Sequence, residues 1–380
     1  MNYVIKKNRC TGCGACREVC PRRAVTMIRD SEGFLYPCVE SGLCIGCGAC
    51  LRACPVLSER KVFRPVFYGC KAIDKTISAE SSSGGVFPVI AGELLAAGGA
   101  VFGAAYEEGE VKHVCVESWS GLSKICGSKY VQSDLSGCLK LTKKMLKSGR
   151  KVLFSGTPCQ IAGLKSSLGR DYDGLITVGV ICHGVASHKV FSKYLSGLEQ
   201  SFGGRAVSVC FRDKSTGWDS YSVKIRFDNG TVYQKKASED PYLQSYLSNL
   251  TLRPSCYRCA FLGYHTVSDL TLGDFWNVKN VKPEFYDPEG VSLVGVHTEK
   301  GAKLLESVND RLDSVPVDRP DAEKGCPNLF HAPFCNFSGR GLFRRIDTIP
   351  IEENLAQSLT PAFPARLINS AGRHLRIRWR

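Results

Sequence analysis

Residues 1–9 hold no apolar run of the kind that marks a secretory leader. Hydrophobic stretches long enough to cross a membrane are missing too. The longest, residues 86–105, is interrupted by Pro88, Glu93 and the pair Gly98-Gly99, and reads as a buried helix followed by a strand. No helix-turn-helix, zinc-finger or RNP pattern accompanies the net charge of +14, which leaves a nucleic-acid reading without its main support. These absences lead to the expectation of a cytoplasmic chain whose membrane contact is at most peripheral. In that compartment thiols stay reduced, and grouped cysteines mean metal rather than disulfides.

What the sequence does have is cysteine: 20 in 380 residues, in a chain otherwise ordinary at 43% hydrophobic and 23% charged. The length suits two or three domains. Cys10-x2-Cys13-x2-Cys16-x3-Cys20-Pro21 returns as Cys44-x2-Cys47-x2-Cys50-x3-Cys54-Pro55, and even the fillers agree, Gly14-Ala15 with Gly48-Ala49. This is the two-cluster bacterial ferredoxin pattern, in which the fourth cysteine of each run ligates the other cluster. Cys10, Cys13, Cys16 and Cys54 are therefore expected on one 4Fe-4S cluster, and Cys44, Cys47, Cys50 and Cys20 on a second. Gly12, Gly14, Gly46 and Gly48 let backbone amides come close to the sulfurs. Structural zinc wants four ligands in two pairs, not two runs of four. Cys38 lies outside both runs and reads as a buried bystander.

Beyond a short basic linker, residues 66–72 read as a strand. Ser82-Ser83-Gly84-Gly85 then opens an apolar helix running to about residue 97. Hydroxyls and glycines at a helix start offer donors to an anion such as a cofactor phosphate; an N-cap with a flexible entry is the plainer reading. Gly127-Ser128-Lys129-Tyr130 is a polar turn before a helix expected over 135–146. It fits either a cofactor contact or a surface helix entry.

Residues 151–182 form a strand, a helix and a second strand, which implies a parallel pair. Gly156-Thr157-Pro158 joins the first two, with Thr157 as N-cap and Pro158 at the first helical position. Cys159 and Cys182 then both fall just past the carboxyl ends of neighbouring strands, the edge where open α/β sheets bind ligands. Cys159 also sits in the first helical turn, where the dipole favours thiolate. Cys256-x2-Cys259 needs two more ligands to close a site, and Cys159 and Cys182 are the candidates for a third 4Fe-4S cluster. A zinc site with the same ligands, a thiol redox pair and unrelated cysteines remain as rivals.

With the further motifs Cys182-His183-Gly184-Val185 and Ser268-Asp269-Leu270-Thr271-Leu272-Gly273-Asp274-Phe275-Trp276, the chain resembles the coenzyme F420 hydrogenase/dehydrogenase beta-subunit family, in a form fused to an N-terminal ferredoxin module. The resemblance implies an α/β (α+β) fold: a small two-cluster ferredoxin domain at 1–60, then a larger mixed α/β flavin-binding domain with a parallel strand-helix-strand core. Within the latter it implies a flavin-contacting region at 66–145, a region for the third cluster and flavin at 150–310, and an extension with a basic tail at 311–380. It implies FAD and the further cluster, with Ser82, Ser83, Gly84, Gly85, Gly127, Ser128, Lys129, Tyr130, Gly156 and Thr157 at the flavin. His183 is a candidate proton donor or a structural hydrogen-bond partner, and Lys129 a candidate to neutralise flavin or substrate charge.

The expected function is an iron-sulfur flavoprotein oxidoreductase that moves electrons between the clusters and FAD, and on to an organic two-electron substrate, a deazaflavin F420-like compound or another. An electron-donor or acceptor protein or subunit is the expected partner, and nucleic acid is not. The alternative is a non-catalytic electron-relay subunit of a larger redox complex. Cubanes with four thiolates each carry about −2, so three of them and FAD would bring the net charge near about +6. Ala186-Ser187-His188 departs from the family pattern, where Pro is common; Cys126 stands where that pattern has no special residue, and Cys326 and Cys335 read as unpaired buried thiols or a private metal site.

Overall fold

The computed structural model describes residues 2–359 apart from 60, 61, 63, 266 and 338; the basic tail at 373–380 lies outside the described residues. The N-terminal module pairs β1 (Asn2–Tyr3), β2 (Val25–Arg29) and β3 (Leu35–Val39) in the order β1-β3-β2, all antiparallel. Each cysteine run holds one short helix, Ala15–Glu18 and Ala49–Arg52. Both helices start from a glycine in the left-handed region, Gly14 at φ 76° and Gly48 at φ 69°. A side chain there would be strained, so the turn out of each ligand loop requires glycine.

The large sheet is built from β4 (Val66–Ala72), β5 (Ala100–Glu107), β6 (Glu110–Val116), β7 (Val152–Gly156) and β8 (Leu175–Val180). A three-stranded meander follows, β9 (Ala206–Asp213), β10 (Ser222–Phe227) and β11 (Val232–Lys236). The chain then returns to the large sheet with β12 (Leu270–Asp274), β13 (Ser292–Val296) and β14 (Leu312–Val317). The order is β14-β4-β13-β12-β8-β7-β5-β6. β12, β8, β7 and β5 run parallel, and the strands on either flank are antiparallel. One sheet thus draws strands from 66–145, 150–310 and 312–317. The parallel centre explains why Val152, Leu153 and Phe154 are all buried: helices cover both faces and no alternation is needed.

The helix between β7 and β8, Pro158–Leu168, has Pro158 at its first position, and the Thr157 N–H donates to Gln160 Oε1 at 3.0 Å. Thr157 and Gln160 thus satisfy the helix start reciprocally. The helix expected over 135–146 begins at Cys138 instead. Asp134 Oδ1 takes the Ser136 N–H at 2.9 Å, and Gly137 turns into the left-handed region at φ 82°, so the first three residues form a turn.

The meander packs against the helices His188–Phe202 and Pro241–Leu247, and Tyr194 and Tyr233 both donate to the buried Asp240 at 2.6 and 2.8 Å. Among the described residues no helix is long and apolar enough to cross a membrane.

The N-terminal module is held tightly to the rest. Gln132 Nε2 donates to Thr11 O at 3.0 Å, and Arg17 Nη1 to Ser136 Oγ at 3.2 Å. Arg340 pairs with Glu32, and Ser187 Oγ donates to Glu32 O. Arg253 reaches into the module with two hydrogen bonds, to Cys10 O and Leu35 O, and makes a third to Gln132.

Candidate metal and cofactor site

Three small cavities gather the twelve cysteines in sets of four. Cys10, Cys13, Cys16 and Cys54 line one, with Thr11 and Gly12 in its wall. Cys44, Cys47, Cys50 and Cys20 line another. Cys159, Cys182, Cys256 and Cys259 line the third, which Thr11, Arg253 and Phe261 help to close. The set containing Cys44 and Cys47 is the outermost. Both residues are exposed, and the neighbouring Ile45 side chain is 63% exposed.

β7 and β8 deliver Cys159 and Cys182 to one sheet edge, and the 3-10 turn Pro254–Arg258 brings Cys256 over them. Burial pushes Cys13 and Cys256 up to about 12, and it raises Cys159 and Cys182 as well. The helix dipole therefore does not make Cys159 a thiolate by itself: its burial outweighs the hydrogen bond from Thr157 and the first-turn amides. Such groups ionise when a metal takes the proton's place. Among the described residues, no three His, Cys, Asp or Glu side chains converge tightly enough for a single metal ion. A cubane holds its thiolates at its corners, around a volume rather than at a point. Four cysteines around a closed apolar cavity suit that donor geometry.

A larger cavity of about 390 Å³ lies next to the third set. Ser82, Ser83, Gly85, Gly127, Ser128, Lys129, Tyr130, Gly156 and Thr157 all line it. Gly84 does not. It is buried where a Cβ would stand 2.5 Å from Cys70 O and 2.9 Å from Ser292 N, so it is a packing glycine between strands β4 and β13. The two hydroxyls are also partly spoken for. Ser82 Oγ accepts from the Ser128 N–H at 2.9 Å, and Ser83 Oγ donates to Val291 O at 2.9 Å. The helix Val86–Ala96 starts at Gly85 with no side-chain cap, and Val86 and Phe87 line the cavity. First-turn amides and the Ser82 O–H, whose oxygen only accepts from Ser128, are thus the donors available to an anion.

Lys129 stands at the end of this cavity and also lines a second one of about 420 Å³, behind the 127–129 turn. Its Nζ donates to Cys126 O at 2.6 Å and Lys124 O at 3.1 Å. Burial pushes Lys129 down to about 8, partly offset by Cys126 and Cys210. His183 lines both the large cavity and the cavity of the third cysteine set. Its Nε2 is buried without a well-formed hydrogen bond; burial holds the imidazole below its usual range, and the nearby Asn249 and Asn328 side chains offset part of that shift. Thr157, Cys182 and Gly184 line both cavities too, so the two are separated by a single layer of residues.

Several residues at this place carried no signal in the spacing. Arg212 on β9 is buried and makes a bidentate pair with Asp274, both bonds at 3.1 Å. Its guanidinium lies 4.0 Å from the Tyr221 ring centroid and 4.5 Å from that of Trp276, and Trp218 Nε1 donates to Asp274 at 2.9 Å. Asp274 and Trp276 end the 268–276 motif at the cavity, which Tyr221 and Tyr246 also line, while Arg212 comes from the meander and lies behind them. His113 forms part of the floor, neutral at pH 7 because burial pushes it to about 4, and bonded to Ser133 and Ser155. Cys326 is buried against the same cavity.

Residues 149–319 match the model for the C terminus of the coenzyme F420 hydrogenase/dehydrogenase beta subunit, and residues 9–57 match that of the 4Fe-4S dicluster domain. No curated protein matches the chain. A chain of the F420-reducing NiFe hydrogenase complex from Methanosarcina barkeri, solved after xenon derivatisation, is similar to it at 18% identity. The likeness covers 71% of this chain and 91% of that one, with a TM-score of 0.48. The two domain matches assign the chain an iron-sulfur electron-transfer role of oxidoreductase type.

Proposed function

We propose that this chain, in which a 4Fe-4S dicluster domain precedes the C-terminal domain of a coenzyme F420 hydrogenase/dehydrogenase beta subunit, is an iron-sulfur flavoprotein oxidoreductase with three clusters and one FAD. The observation that carries the reading is the wall that two cavities share. Thr157, Cys182, His183 and Gly184 face the third cysteine set on one side and the large cavity on the other.

A flavin bound in the large cavity would supply the step from single electrons to an electron pair exchanged with an organic substrate. The chain's own residues supply position and charge. The start of Val86–Ala96 presents its amides to a phosphate, and Lys129 adds a cation beside them. Tyr130 and Tyr246, stacked with ring centroids 4.8 Å apart, give an aromatic wall. His183 lines both cavities and would stand between the third cluster and the flavin. The exposed Cys44 and Cys47, with Ile45 and Leu43 beside them, form the face on which an electron-carrying protein or subunit would dock. The substrate class is an organic two-electron acceptor or donor, of which a deazaflavin is one.

The test is anaerobic purification of the full chain with quantitation of iron, sulfide and flavin. The expected result is about twelve irons and one flavin per chain. Full iron with no flavin, and none taken up from added FAD, would overturn the flavoprotein reading and leave an electron relay.

A further inference from the structure

Arg253 opens the motif that carries Cys256 and Cys259, yet it is no ligand. Its side chain is 1% exposed and sits at the junction of the N-terminal module with the large domain. Nε donates to Cys10 O at 2.8 Å and Nη2 to Leu35 O at 2.8 Å, both in the module. Nη1 donates to Gln132 Oε1 at 2.8 Å, and Gln132 in turn donates to Thr11 O. The guanidinium lies 4.2 Å from the Tyr36 ring centroid. At the same time Arg253 lines the cavity of the third cysteine set, and its charge is felt at Cys159 and Cys256.

Every one of these partners is formally neutral. Among the described residues no carboxylate pairs with Arg253; its side-chain hydrogen bonds go to two backbone carbonyls and one amide oxygen. A buried charge is ordinarily paired, because leaving it alone in a low-dielectric interior is costly. The compensating charge must therefore come from something else at this junction. Thr11 points the same way. It lines both the cavity of Cys10, Cys13, Cys16 and Cys54 and that of the third set, and its buried Oγ1 has no partner. The two sets come close enough that Cys159 adds to the upward shift of Cys13.

We propose that Arg253 is the shared counter-charge of the two clusters that face each other across the module junction, and that it sets their reduction potentials together. The inference deepens the three-cluster reading and rests on it. A cubane with four thiolates is an anion, and reduction adds one more negative charge. A fixed cation beside both clusters favours the reduced form of each. Without it both potentials fall, while the cluster of Cys44, Cys47, Cys50 and Cys20, on the far side of the module, keeps its own. Arg253 is thus a positioning residue of the electron path: it keeps the two inner clusters able to accept what the outer one delivers.

The experiment compares wild type, R253M and R253K as anaerobic full-length protein, by iron and sulfide content and by EPR-monitored redox titration. In R253M the two inner clusters should each become at least tenfold harder to reduce, about 59 mV for a one-electron couple. The outer cluster should not move, and R253K should recover most of the loss. R253M with normal iron and unshifted potentials overturns the proposal while three clusters stand. Should R253M lose iron, restoration in R253K supports the charge, and equal loss in R253K overturns it in favour of the hydrogen-bonded fork. Wild type that holds only eight irons fails the three-cluster reading itself, whatever the variants do.

Discussion

Gly163, in the helix after β7, lies directly against Cys13 of the N-terminal module. A methyl group on Gly163 would stand 2.6 Å from Cys13 Cβ and 2.9 Å from its Sγ. The helix Pro158–Leu168 can carry Cys159 this close to the first cysteine run only because residue 163 has no side chain. Gly163→Ala should therefore push Cys13 off its position. Overpacking of this kind costs about 1–3 kcal/mol. The expected outcome is a lower urea midpoint together with iron loss or a changed EPR signal confined to the cluster of Cys10, Cys13, Cys16 and Cys54. Unchanged iron and an unchanged midpoint would mean that the module can shift away without cost.

Replacing Cys20 with Ala should remove about four irons from the cluster of Cys44, Cys47 and Cys50, although Cys20 belongs to the other run. These four residues line one cavity. EPR that resolves the two module clusters decides it. Loss restricted to the cluster of Cys10, Cys13 and Cys16 would reject the crossed ligand set.

Lys129 gives a pH dependence. Its pKa in the fold is about 8, below its ordinary 10.5, because burial disfavours the charged form. That cost to folding is present in full below pH 8 and is relieved as pH rises from about 8 to 10.5. A bound anion reverses the preference by raising the Lys129 pKa, and one unit of such a rise is worth about tenfold in affinity. Affinity for FAD, measured by fluorescence quenching, should thus weaken as pH rises through about 8. K129M should bind more weakly at pH 7 and show a flat profile over that range. A profile in K129M as steep as in wild type would place the titrating group elsewhere.

Asp274 holds Arg212 with two bonds while Trp218 donates to the same carboxylate. Asp274→Asn leaves a buried guanidinium without its counter-ion, a change of about 3–5 kcal/mol. Chemical denaturation should show it. The double variant R212M/D274N should be less destabilised than D274N alone, because no orphan charge remains. Additive losses would mean that the pair does not act as a unit.

What could be read from the chain follows from distance along it. The grouping of Cys54 with the first run and of Cys20 with the second around common cavities was legible because an exact local spacing repeats and each loop is short. The β7-helix-β8 unit was legible for the same reason: Thr157 and Pro158 are adjacent capping signals, to which the structure adds Gln160. Cys159 and Cys182 then reached one edge through parallel pairing. The flavin candidates other than Gly84 line one cavity, but Ser82 Oγ accepts from Ser128, 46 residues away, and Ser83 Oγ donates to Val291 O, 208 residues away. No local pattern reports such pairings. Arg212 was invisible because its meaning depends on Asp274, 62 residues later, and on two rings beside it. The position of β4 between β13 and β14 is likewise a long-range fact.

The anchoring of the N-terminal module by Gln132, Arg253 and Arg340, with Gly163 pressed on Cys13, has a kinetic consequence. A carrier domain on a tether must diffuse between its donor and its acceptor, so its turnover slows in glycerol or sucrose and depends on tether length. Here the two inner cysteine sets already adjoin, with Thr11 lining both cavities. Internal electron transfer in this chain should be insensitive to solvent viscosity, and only the encounter at Cys44 and Cys47 with an external donor should feel it.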